Sequence, residues 1–243
     1  MSGIVNGTVA KITFRATIGR KRAFLFAIPP LILLVVTALL KVAHPERASW
    51  PADILGVFGF SVVLPLTALI IGTSVLGAEI DDGSIVHLLA TPVRRSSVII
   101  TKFAVAAVMT MIFVAVPELL AGLIATGGVT RLAIGVFAGA IAGSVIYNAV
   151  FVMVSVLTTR AIAVGLIYLL VWEGLLGNLV SGASELSVGQ YSLGVANSIA
   201  RDPALNAHLT LATVIVAGAI VTAAALALAI RRLAAFSLKG DAA

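Results

Sequence analysis

The sequence predicts an all-α integral membrane protein with six transmembrane helices, organised as a single transmembrane domain over residues 1–243. Three observations carry that prediction. Of the 243 residues, 60% are hydrophobic and only 11% charged, a balance far from that of water-soluble domains. Six apolar stretches, at about residues 23–40, 54–78, 103–130, 132–159, 161–184 and 209–230, are long enough to cross a bilayer core as helices. Within them only Glu118 and Glu173 carry a formal charge, as befits a medium in which ionised groups are costly.

Residues 1–22 precede the first apolar stretch. Val5, Val9, Ile12 and Ala16 fall near one helical face and Lys11, Arg15 and Arg22 near another, which suits an amphipathic helix lying at the membrane interface. Gly3, Gly7 and Gly19 weaken that helix, so an unstructured basic tail is the alternative. A secretory signal peptide fits less well. The apolar run 23–40 is long, contains Pro29 and Pro30, and leads to no clear small-residue cleavage site before Lys41 to Arg47.

Between the second and third stretches, residues 79–95 read as helix, stop, helix. Ile85, Leu88 and Leu89 recur at helical spacing, Pro92 ends the helix, and Ser96 or Ser97 can cap the next one. The segment is either an interfacial turn on lipid headgroups or a docking surface. Its order of residues, with Glu79, Gly83, Leu88, Leu89, Pro92, Arg94 and then Lys102, resembles the permease subunits of ABC-2 type transporters. The resemblance implies that 79–95 is a coupling helix that docks on a separately encoded ATPase. It also implies an interfacial helix before the first span and a paired arrangement of two permease subunits, identical or related, with two ABC ATPase subunits. ATP and magnesium would then sit on the ATPase, and this chain would bind no cofactor of its own. Where the family often has basic residues around the glutamate, this chain has Ala78, Asp81 and Asp82.

In the third stretch Glu118 follows Pro117, and in the fifth Glu173 follows Trp172. Both are expected to face protein or a water-filled cavity rather than lipid. They and Asn148 are the candidates for a substrate pathway. The plainer alternative places the carboxyls near the outer interface, or hydrogen-bonded to neighbours such as Tyr147, Asn148 or Asn178. In the fourth stretch Gly135, Gly139 and Gly143 recur at intervals of four, a smooth face for close packing with a helix of the same chain or of a second protomer. Residues 185–208, with Asp202 and Pro203 as a turn signal, are expected to form a short external helix or hairpin, or a surface loop; the resemblance implies that it caps the outer end of the pathway.

Orientation follows from the basic residues. Lys11, Arg15, Arg20, Lys21, Arg22, Arg94, Arg95, Lys102, Arg160, Arg231, Arg232 and Lys239 fall on one side, against Lys41, Arg47, Arg131 and Arg201 on the other. The positive-inside rule places both termini in the cytoplasm, at a bacterial inner membrane if the resemblance holds. The net charge of +6 is accounted for in this way and does not indicate nucleic acid.

Absences narrow the function. The chain has no cysteine, no G-x-x-x-x-G-K-[ST] loop, no H-E-x-x-H and no G-x-S-x-G, and its three histidines lie outside the apolar stretches. No catalytic residue and no metal site is expected. The function expected is that of a permease subunit in an ATP-driven transporter, with export the direction implied by the resemblance and alternating access the mechanism. The alternatives are an ATP-independent secondary transporter or channel, and a membrane scaffold or assembly factor.

Overall fold

The computed structural model describes residues 7–18, 23–44, 50–81, 94–176 and 187–235. Among the described residues every regular element is helical. Helix α1 is Gly7–Ile18, and α2 is Ala23–Ala43, continuous through Pro29 and Pro30. Helix α3 covers residues 50–81 in three parts, Trp50–Asp53, a π-helical Ile54–Val63 and Leu64–Asp81. Helix α4 is Arg95–Thr126, interrupted by a π-helical Met111–Ala115. Helix α5 is Arg131–Leu157, and α6 joins Ala161–Ile167 to a π-helical Tyr168–Leu176. Helix α7 is Val188–Ala200, followed by a 3-10 turn at Pro203–Leu205, and α8 is Leu211–Ala235.

Five of these helices, α2, α3, α4, α5 and α8, are long and apolar enough to cross a bilayer. The stretch expected at 161–184 is described only to Leu176, where α6 is a shorter apolar helix. One expected helix start moves. Helix α4 begins at Arg95, eight residues before the predicted apolar start, because hydropathy marks entry into lipid rather than the first helical turn. Ser96 and Ser97 are therefore not caps. Arg94 holds the N-cap position in extended conformation with no side-chain cap bond, and Ser97 is buried within the first turn, its N–H bonded to the Arg94 carbonyl.

Helix α5 forms the centre of the bundle. It packs on α3, α4, α6, α7 and α8, and 67% of its spanning window is buried, against 22% in α2 and in α8. A helix apolar all round suits such a position, since every face meets another helix. Helices α2 and α8 instead expose Leu31, Val35, Leu39, Ile215, Val216 and Ile220, side chains that lipid can solvate.

One face of α5 is set by its glycines. A Cβ added at Gly135 would lie 2.5 Å from the Ala196 carbonyl oxygen, and one at Gly139 would lie 2.5 Å from that of Ser192. At Gly143 it would collide with the Ser192 hydroxyl and the Leu64 side chain. The neighbour of this face is thus α7 of the same chain. The turn from α4 to α5 is equally local in origin. Gly127 closes α4 in the left-handed region, and the Thr130 hydroxyl accepts from the Ala133 N–H as the N-cap of α5.

Candidate functional site

Two proline positions shape the polar interior. Proline has no N–H and its ring conflicts with the carbonyl four residues earlier, which favours opening of the turn before it. Before Pro65 the Leu64 N–H reaches back five residues to the Gly59 carbonyl, and before Pro117 the Val116 N–H does the same to Met111. Both are π-type bonds, a geometry that recurs at functional positions in helices.

Glu118 follows the second of these widened turns and is fully buried. Its carboxyl group lies against Gly59 in the first one. A Cβ at Gly59 would collide with Glu118 Oε1 and stand 2.9 Å from Cδ. Neither carboxyl oxygen has a hydrogen-bond partner among the described residues. The neighbours suggested by the sequence, Tyr147 and Asn148, do not bond it; Asn178 lies outside the described residues.

Asn148 occupies a separate contact. Its Nδ2 donates to Thr110 Oγ1 at 2.8 Å and to the Ser144 carbonyl at 2.7 Å. Its Oδ1 faces Gly72, where a Cβ would lie 3.1 Å away, and has no partner among the described residues. Asn148 thus pins α5 to α4 at the residue before the π-helical segment, while packing on α3. Thr110 and Glu118 are eight residues, or about two turns, apart on α4, so Asn148 and Glu118 do not form one site.

Glu173 is saturated with bonds. Oε1 accepts from the Val188 N–H at 2.9 Å and Tyr168 Oη at 3.3 Å, and Oε2 accepts from Ser187 Oγ at 2.5 Å and the Gly189 N–H at 3.4 Å. Ser187 Oγ also accepts from the Gln190 N–H, which makes it the N-cap of α7. A carboxylate at this end of a helix meets unsatisfied N–H groups and the positive end of the helix dipole. Glu173 therefore fastens α6 to the start of α7. Beside it lies a cavity of about 500 Å³, lined among others by Gly56, Val62, Leu170, Glu173, Gln190 and His208.

At the end of the bundle where α4 starts and α8 finishes, basic side chains are tied to backbone. Lys102 is fully buried, and its Nζ donates to the Val75 carbonyl of α3 at 2.6 Å. Arg95 Nη1 donates to the Leu233 and Ala234 carbonyls, both at 2.8 Å, and so caps α8. Arg94 beside it is exposed. Glu79 lies in the last turns of α3, and Gly83, Leu88, Leu89 and Pro92 lie outside the described residues. The structural roles of Arg95 and Glu173 were not legible from the sequence, because their partners are set by tertiary contact.

Two predictions follow from these contacts. Gly59→Ala would ordinarily strengthen a helix by up to about 1 kcal/mol. Here it should lower thermal stability of the purified protein, by about 1–3 kcal/mol, as overpacking does. Adding Glu118→Ala should recover most of that loss, and strictly additive effects would show that the two do not touch. For Glu173, replacement by Ala should speed hydrogen exchange at the Val188 and Gly189 amides about tenfold or more, as expected on losing bonds to a charged acceptor. Glu173→Gln, which keeps one oxygen acceptor, should change exchange less.

Neither a curated protein nor a solved structure matches the sequence. A family model described as ABC-2 family transporter protein matches residues 18–174, more than half of the chain. The match runs from the end of α1 through α6, taking in the widened turns of α3 and α4, the segment between those helices and the glycine face of α5. This multi-pass chain accordingly belongs to the ABC-2 family of transporter proteins.

Proposed function

We propose that this chain is the permease subunit of an ATP-driven exporter, acting with a second permease subunit and two copies of a separately encoded ABC ATPase. The observation that carries this reading is the family match over residues 18–174, which includes the segment 79–95. That segment joins the end of α3 to the start of α4. In this reading the chain crosses the membrane six times, with 161–184 as the fifth crossing, both termini cytoplasmic and 185–208 outside. The twelve-to-four division of basic residues supports that orientation.

The mechanism follows from which helices the segment connects. Closure of the ATPase pair on ATP moves the docked 79–95 helix, and the movement enters α3 and α4 together, because buried Lys102 ties one to the other. Those two helices carry the π-helical turns that meet at Gly59 and Glu118, where a carboxyl without a partner among the described residues has least to lose from rearrangement. A shift there alternates the path between inward-open and outward-open states with different substrate affinity. The cavity beside Glu173 is the outer part of the path, and α7 is its lid. Glu173 holds that lid rather than the cargo, since its oxygens are already occupied.

The test is damage that uncouples without unfolding. Leu88→Ala combined with Leu89→Ala removes roughly 1.5–3 kcal/mol of burial per side chain if both sit in a cleft of the ATPase, enough to weaken docking tenfold or more. The expected result is loss of ATPase co-purification and of substrate-stimulated ATP hydrolysis in the reconstituted complex. Unchanged assembly and stimulation would remove the coupling role and favour a transporter that works alone.

A further inference from the structure

We infer that an anionic phospholipid is held between α1 and α4, with its phosphate at Lys11 and one acyl chain in the groove beneath. The groove is a separate cavity of about 370 Å³, remote from the Glu173 cavity. Phe14 and Ala10 form its α1 wall, and Ala104, Val105 and Val108 form its α4 wall. Lys11 stands on its rim.

The seat of α1 is fixed by its other face. Val9 and Thr13 are buried, and α1 packs on α4 and α3. Residues three apart share a helix side, so Lys11 and Phe14 project together, and both are exposed. The Lys11 side chain is exposed and makes no hydrogen bond or ion pair with the described residues.

Depth identifies the occupant. Thr101 and Val108 are seven residues apart, so the α4 wall runs about 10 Å along the helix axis, and Val108 lies about 20 Å from Arg95 at its start. A partner approaching from water would meet α1 and Lys11, but it would have to enter the hydrocarbon to touch Val108. An acyl chain is already there. Its phosphate would then lie at the level of α1, within the 5–10 Å by which interfacial helices commonly sink. Net negative charge is the better match to Lys11 and to a chain of net charge +6. A zwitterionic lipid offers the same phosphate but brings its own ammonium as a competitor.

The inference needs α4 to cross the membrane but does not need the ATPase, so its test is run without ATP or partner. The full-length chain, purified in detergent, is offered phosphatidylglycerol or phosphatidylcholine of equal chain length, and retained lipid is counted by native mass spectrometry. About fivefold preference for phosphatidylglycerol is expected from one well-placed cation. Lys11→Gln should abolish the preference, and Ala104→Trp, which fills the groove, should reduce retention of both lipids. Ile220→Trp, on the exposed face of α8, should change neither. Excess inorganic phosphate should leave the lipid in place, since the acyl chain anchors it. Phosphatidylglycerol carrying a photoreactive acyl chain should label the peptide containing Val105 and Val108, and it reads the same site should either variant misfold. Equal retention of the two lipids by the unsubstituted chain, displacement by inorganic phosphate, or labelling confined to α6 or α8 would overturn the inference.

Discussion

Lipid tails are as apolar as leucine, so burial of apolar surface does little to drive membrane helices together, and their association depends on how closely backbones approach. In this chain that constraint is met on α5. Gly135 and Gly139 admit α7 so closely that its carbonyls crowd the space of the missing Cβ atoms, and at Gly143 the Ser192 hydroxyl does the same. Ser192, Ala196 and Ala200 repeat at the same interval of four on the facing helix, so two small-residue faces meet. The remaining elements depend on this contact. With α7 seated, its N-terminus presents Ser187, Val188 and Gly189 to Glu173, which fixes the position of α6.

Polar groups in the interior follow a second rule, that a buried polar group without a partner is costly. Glu173, Lys102, Arg95 and the Nδ2 of Asn148 satisfy it by bonding to backbone or to hydroxyl groups. Glu118 does not, among the described residues. It sits where two proline-widened turns meet, and it is accommodated only because residue 59 is glycine. A contact that is costly in one arrangement is suited to a two-state element, and the proposed mechanism uses Glu118 in that way.

How much of this was legible in the sequence depends on the range of the interaction. Helix existence followed from apolar run length, and five of the described helices meet the length for crossing. Helix starts did not, because Arg95, Ser96 and Ser97 are polar residues inside a helical turn. The glycine spacing marked a packing face on α5 but left its neighbour open; the matching interval in α7 was present in the sequence and would have named it. Glu173 was noticed for its charge, yet its role rests on a bond to Ser187, 14 residues away. Glu118 against Gly59 spans two helices, and Arg95 against Leu233 spans 138 residues, so neither pairing can be read from local pattern.

In the proposed mechanism the link between α3 and α4 carries the work. Those helices are joined by the buried Lys102, and each carries a widened turn. In that proposal a separate ATPase supplies the push at residues 79–95. The most direct test is a photoreactive amino acid placed at position 88 in the complete complex, with position 129, in the turn between α4 and α5, as control. A covalent adduct between position 88 and an ABC ATPase subunit is expected, with none from position 129. Adducts at position 88 with lipid alone, or equal capture of the ATPase from both positions, would contradict it.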